Sequence, residues 1–205
     1  IVIGPRGIGT MISMLVVGRI MGKIDARILV VIGFLLTAQS LYTMASFTPQ
    51  MDNWLIISSG VIQGLGMGMV FVPLSTVAFA TLDARYRTDA TALFSLVRNL
   101  GSSIGVSVVT VLLVRNTQIN HAELSAFINP FNPNLWAVSP AAAGGDPMAL
   151  SQVDRMVNLQ AMMISYVNDF KILMVMTLLA IPFVFLLRKP KAGPAAGGAP
   201  AAHMD

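Results

Sequence analysis

The chain has no cysteine. That excludes disulfides, thiol chemistry and any Cys-ligated metal centre, and it leaves the redox compartment open. Charge is scarce as well. Only 11% of the 205 residues are Asp, Glu, Lys or Arg, and the mean hydropathy is +0.74. A soluble domain needs a charged surface and does not have this composition. Histidine occurs twice, as His121 and His203, with no carboxylate pair nearby in sequence. Such scattered histidines make a poor metal site. No nucleophile–base–acid set is visible, so no enzyme is expected, and nothing calls for a cofactor. The run Gly4-Pro5-Arg6-Gly7-Ile8-Gly9 is not a phosphate loop. No strand precedes it and no Lys-Ser/Thr follows.

What the chain has is apolar length. Five stretches, roughly 4–21, 28–47, 54–79, 93–114 and 172–187, can each supply a membrane-crossing helix. About 20 helical residues cross ~30 Å of hydrocarbon. Basic residues collect in alternate gaps. Arg19, Lys23 and Arg27 follow the first stretch, Arg85 and Arg87 the third, and Arg188, Lys189 and Lys191 the last. The second gap, 48–53, has none. Basic loops stay cytoplasmic, so the first and third gaps and the C-terminus face inward. The net charge of +4 is this loop charge, not a nucleic-acid footprint. The partner is the lipid bilayer. Ile1 is not an initiator, and five spans starting outside call for something upstream. The chain therefore reads as the C-terminal portion of a larger membrane protein.

The expected organisation is all-α, a polytopic transmembrane helix bundle. Residues 1–115 hold four transmembrane helices, and 116–168 form an extracytoplasmic loop with an amphipathic helix. Residues 169–188 are the last transmembrane helix, and 189–205 an Ala/Gly/Pro-rich disordered cytoplasmic tail. Within the loop, Asn129-Pro130-Phe131-Asn132-Pro133-Asn134 favours turns. Ala141–Gly145 reads as flexible. Asp146-Pro147 opens a helix that either lies on the outer surface or runs straight into the last span, since no breaker separates them.

Gly60, Gly64 and Gly68 are four apart in the third span and form a smooth ridge, and Gly101 and Gly105 repeat the spacing in the fourth. Small ridges let membrane helices pack closely. The ridge reads as tight packing or as a sliding contact. Arg98 lies about nine residues inside the cytoplasmic end of the fourth span, ~13 Å deep. Insertion of Arg there costs about 2.5–3.5 kcal/mol, so it faces a cavity or partner unless it snorkels. Arg6 reads as a second interior cation or as an outer-interface anchor. Gln63, Met67 and Phe71 form a stripe that suits varied apolar ligands or an ordinary core. Phe94 and Asn99 beside Arg98 complete the cavity-lining candidates. The acids Asp25, Asp52, Asp83, Asp89 and Asp169 fall in loops or at span ends. With no carboxylate deep in a span, the obvious proton carrier is missing from this portion.

Several runs carry a resemblance. They are Gly4–Gly9; Gly18-Arg19-Ile20-Met21-Gly22-Lys23-Ile24-Asp25-Ala26-Arg27; Ile62-Gln63-Gly64 with Phe71-Val72-Pro73-Leu74; and Arg98-Asn99-Leu100-Gly101-Ser102-Ser103-Ile104-Gly105. In this order the chain resembles the EmrB/QacA-type multidrug exporters, fourteen-span members of the major facilitator superfamily. His121-Ala122-Glu123-Leu124 with Asn129–Pro133 is similar to the EmrB branch. The resemblance implies spans ten to fourteen of a bacterial inner-membrane antiporter. It implies an N-terminal half facing this one, amphipathic small-molecule substrates, and proton entry as driving force. It also implies a periplasmic adaptor and an outer-membrane channel as partners. Residues 18–27 resemble the family's cytoplasmic gate, which makes Arg19, Asp25 and Arg27 gating candidates. Gly22 stands where the gate motif has Asp, with Asp25 displaced. Beside a multidrug exporter stand an exporter of one defined metabolite and a membrane scaffold without a transport cycle.

Overall fold

The computed structural model describes residues 4–21, 23–48, 51–80 and 84–186. Those residues are helical, with no strand among them: α1 (Gly4–Ile20), α2 (Ala26–Met44), α3 (Asn53–Ala80), α4 (Arg87–Ser125), α5 (Pro133–Val138), α6 (Pro140–Ala143) and α7 (Pro147–Phe185), plus one 3-10 turn at Ala84–Tyr86. The all-α expectation is met. Among the described residues four helices, α2, α3, α4 and α7, are long and apolar enough to cross a membrane. The expected first span is α1, with 17 residues.

The helices pack in the order α1, α3, α2, α7, α4. α3 can sit between two neighbours because it is bare on two sides. A Cβ on Gly68 would lie 2.6 Å from the Ser13 Cβ on α1, and one on Gly66 would lie 2.7 Å from the Gly33 carbonyl oxygen on α2. At such separations hydroxyls bond across to backbone. Ser13 Oγ donates to the Leu65 carbonyl at 2.7 Å, and Ser40 Oγ to the Ser59 carbonyl at 2.7 Å. Close approach and polar links hold membrane helices where no hydrophobic drive exists between them. Pro73 is fully buried within α3.

α4 and α7 are each 39 residues long. At ~1.5 Å per residue that is about 58 Å, nearly twice the hydrocarbon thickness. Sequence reading starts the outer loop at 116, but α4 runs on to Ser125, because its next proline is Pro130. Likewise α7 runs unbroken from Pro147 into the last apolar stretch, the second of the two alternatives. Asp146 caps it, accepting from the Met148 N–H at 3.1 Å.

Between these helices the chain folds into a small cap. Asn132 accepts from the Asn134 N–H at 3.0 Å and starts α5, with Pro133 in its first turn. Trp136 Nε1 donates to the Pro130 carbonyl at 2.7 Å, closing the Asn-Pro turn. Ala141–Gly145 is not the flexible stretch its composition suggests. Pro140 opens α6, and Ala142 and Ala143 pack with Leu135 and Val153 into a buried cluster. Gly145, at φ 88°, makes the turn into Asp146. The expected tail, 189–205, lies outside the described residues.

Candidate functional site

A cavity of about 300 Å³ lies between α1, α2, α3 and α7. Its wall includes Arg6, Phe34, Gln63, Met67, Leu173 and Thr177. α3 sets Gln63 and Met67 four residues apart, so both point one way. The Arg6 guanidinium meets the Met67 sulfur at 3.6 Å. Sulfur is a weak acceptor, so most of the five guanidinium donors are left for water or a ligand. Among the described residues no carboxylate lies within ion-pair distance of Arg6. The arrangement offers an aromatic ring, an adaptable Met, an amide and one cation, which suits an amphipathic molecule with an acceptor group.

Three of the seven cavity-lining candidates, Arg6, Gln63 and Met67, thus come together. Phe71 leaves that group. Its ring faces α4, where the Arg98 guanidinium sits 4.7 Å from the ring centroid. One turn back along α4, Phe94 meets Phe79 edge-on at 5.5 Å. Arg98 is therefore aimed at an aromatic face, a favourable cation–π contact. Asn99 is exposed on α4. So are Gly101 and Gly105, and a Cβ on either would meet nothing within 4 Å. The packing role expected of those two glycines is not seen among the described residues. No residue of α4 is buried at all, although the helix is strongly apolar. The glycine ridge of α3 does pack, at Gly64 and Gly68, against Arg6, Thr10 and Ser13 of α1. Gly60 is in looser contact, its Cβ position 3.9 Å from the Arg6 Cβ.

The gating candidates gather at the α1–α2 turn. Arg19 is exposed in the last turn of α1, Asp25 is the N-cap residue of α2, and Arg27 is half-buried behind it. Gly22 lies outside the described residues. His121 is not isolated. Its Nε2 lies 3.0 Å from Asp154 Oδ1, tying the C-terminal part of α4 to α7.

The main omission from sequence is Asp169. Placed at a span end by hydropathy, it stands inside the continuous α7 and is only 4% exposed. Both carboxyl oxygens are buried without a hydrogen-bond partner among the described residues. The signal was the absence of any helix breaker between Pro147 and Ile172, which sequence reading weighs only for the course of the helix and not for the burial of Asp169. That absence makes Ser165 and Asp169 successive positions on one helical face.

Comparison with known proteins agrees with this architecture. The family model described as Major Facilitator Superfamily matches residues 2–120. The multidrug export protein EmrB of Escherichia coli K12 is 30% identical over 200 residues, covering 95% of this chain and 39% of that protein. EmrB of Haemophilus influenzae is 34% identical over 130 residues, covering 63% of this chain and 26% of that protein. The fatty acid resistance protein FarB of Neisseria gonorrhoeae is 28% identical over 189 residues, covering 91% and 37%. The chain thus spans less than half the length of these relatives. With a family match over more than half of its residues and the helices of a multi-pass membrane protein, the chain belongs to the Major Facilitator Superfamily.

Proposed function

We propose that the full-length protein is a proton-driven exporter of amphipathic small molecules, working by alternating access across the bacterial inner membrane. This chain supplies most of its C-terminal half. The observation that carries the reading is the open cavity between α1, α2, α3 and α7, with Arg6, Gln63 and Met67 on its wall. Export by the EmrB relatives supports the substrate class. In such folds two halves rock around a site near the membrane midplane. The apolar, unburied length of α4 is the surface on which the N-terminal half packs. The basic turns after α1 and α3 lie on the cytoplasmic side with the C-terminus, and the cap lies outside. There the cap docks a periplasmic adaptor that leads to an outer-membrane channel. Its Phe131, 93% exposed at the Asn-Pro turn, suits such a contact.

The test is dye accumulation in a pump-deficient cell with and without the full-length gene. Lower accumulation that a protonophore reverses is expected. Unchanged accumulation across a panel of amphipathic dyes, with export of a single metabolite, would replace the multidrug reading. The piece 1–205 expressed alone should confer nothing, because it has no opposing half.

A further inference from the structure

Asp169 is not used by the cavity chemistry above, yet its surroundings are unusual. Along α7, Ser165, Asp169, Leu173 and Thr177 recur at four-residue steps and share one face. Toward the cap this face meets a polar cavity of about 310 Å³ between α4 and α7, with Thr117, His121, Asp154 and Asn158 on its wall. In the other direction Leu173 and Thr177 line the cavity that holds Arg6. Asp169 stands between the two. Just outside it, Asn120 Nδ2 donates to Ser165 Oγ at 3.0 Å, so polar groups continue from the outer cavity toward the carboxyl.

Among the described residues no charge answers the carboxyl from the packed helices. On α4, Arg115 is exposed, His121 is engaged by Asp154, and Arg98 lies over Phe71. The others on α4, Arg87, Asp89 and Glu123, stand near its ends. On α2, Tyr42 is 63% exposed, and Asp25 and Arg27 are at the far end. On α7 itself Tyr166 and Lys171 are exposed, Asp154 and Arg155 are more than three turns away, and α6 carries no ionisable side chain. A carboxylate here has lost water and gained no hydrogen bond, which an ionised group does not tolerate for long. It must bind a proton or reach a cation in another conformation. Arg6 lines the cavity that begins one turn further along this face, at Leu173.

We propose that Asp169 is a proton-binding site of this half, loaded from the outer side through the α4–α7 seam and emptied when α7 shifts toward the Arg6 cavity. The step is carboxylate plus proton giving carboxylic acid, with no other bond made or broken. The inference rests on the proton-driven reading above, and it places a coupling carboxyl in the half from which the sequence seemed to omit one.

The test uses the full-length protein in membranes and dicyclohexylcarbodiimide, an apolar reagent that adds to protonated carboxyls. Peptide mass mapping should find the adduct on Asp169 of the wild type, falling as pH is raised from mildly acidic to alkaline. No adduct on Asp169 at any pH, or labelling independent of pH, overturns the proposal. In everted vesicles Asp169→Asn should lose proton-driven dye accumulation while keeping dye exchange at zero gradient, and Asp169→Glu should restore part of it. Driven accumulation equal to wild type in Asp169→Asn also overturns it. A wild type whose dye transport ignores a protonophore would instead sink the proton-driven reading, and the labelling would still report on Asp169.

Discussion

Gly64→Ala is the smallest change that tests how α1 and α3 are held together. The new Cβ would fall inside contact distance of the Arg6 carbonyl oxygen and 3.0 Å from the Thr10 nitrogen. Both are backbone atoms, so no rotamer change relieves the clash and α1 must back away. Retreat of α1 also stretches the 2.7 Å bond from Ser13 to the Leu65 carbonyl. Overpacking of this kind costs about 1–3 kcal/mol, and an interhelical hydrogen bond adds about 0.6 kcal/mol. The control is one turn away. Gly60→Ala puts its Cβ 3.9 Å from the Arg6 Cβ, an ordinary contact, and should be silent. The measurement is thermal unfolding of the purified full-length protein in detergent, followed by size-exclusion recovery. Gly64→Ala should lose monodisperse protein at clearly lower temperature than wild type, with Gly60→Ala matching wild type. Equal curves for the two variants would show that α1 does not lie on α3 at near-backbone distance.

Arg98→Ala in the full-length protein should abolish dye efflux at near-normal membrane abundance, because a cation held over Phe71 at 4.7 Å is worth about 0.5–2 kcal/mol to the arrangement of α3 and α4; wild-type efflux would mean that Arg98 only snorkels. Ser139→Cys, a single cysteine in a cysteine-free chain, should react with an impermeant thiol reagent on intact spheroplasts; reaction only after lysis would invert the topology. Leu135→Ala should loosen the cap, removing the largest member of its buried cluster, at about 2–5 kcal/mol for a large-to-small core change; limited proteolysis should then cut between α4 and α7, and an uncut chain would show that the cap does not depend on that cluster.

The bundle was legible in the sequence because lipid imposes a blunt rule: apolar runs of sufficient length become helices. The glycine ridge was legible for the same kind of reason, since only small residues permit the approach seen at Gly64 and Gly68. Its partner was not. Gly9, Gly33 and Gly66 lie in less regular patterns, and which helix meets which is decided by packing between distant segments. Hydropathy also misjudged the long helices. It sees where apolar residues stop, not where helix stops, so Asn116–Ser125 of α4 was counted with the loop, and the helix opened by Asp146-Pro147 was left either on the surface or continuous with the last span. What hydropathy could not show for Asp169 is its burial, which comes from packing against distant helices. Of the cavity candidates, Gln63 and Met67 stayed together because they share α3, whereas Phe71, one turn on, was drawn to α4 by Arg98.

The long helices have a mechanical consequence for the transport reading. One continuous helix of 39 residues carries both the cavity wall and the cap contacts. On α7, Thr177 and Leu173 face the cavity, Asp169 is buried one turn out, Ser165 bonds Asn120, Asp154 bonds His121, and Val153 sits in the cap cluster. Helices α4 and α7 are thus tied at two levels outside the cavity, and the cap closes their ends. A tilt of α7 by a few degrees at the cavity displaces the cap by about 2–3 Å, since the lever from Leu173 and Thr177 to Pro147 is about 40 Å long. One helix therefore carries the cavity wall, Asp169 and the cap contacts, and on the proposed transport reading it is the element through which the three would be coupled. Breaking the outer tie while leaving the inner one, with His121→Ala, separates these roles. If the tie transmits motion, dye efflux falls while carbodiimide labelling of Asp169 keeps its pH dependence. If both persist unchanged, the cap moves independently of the helix that bears it.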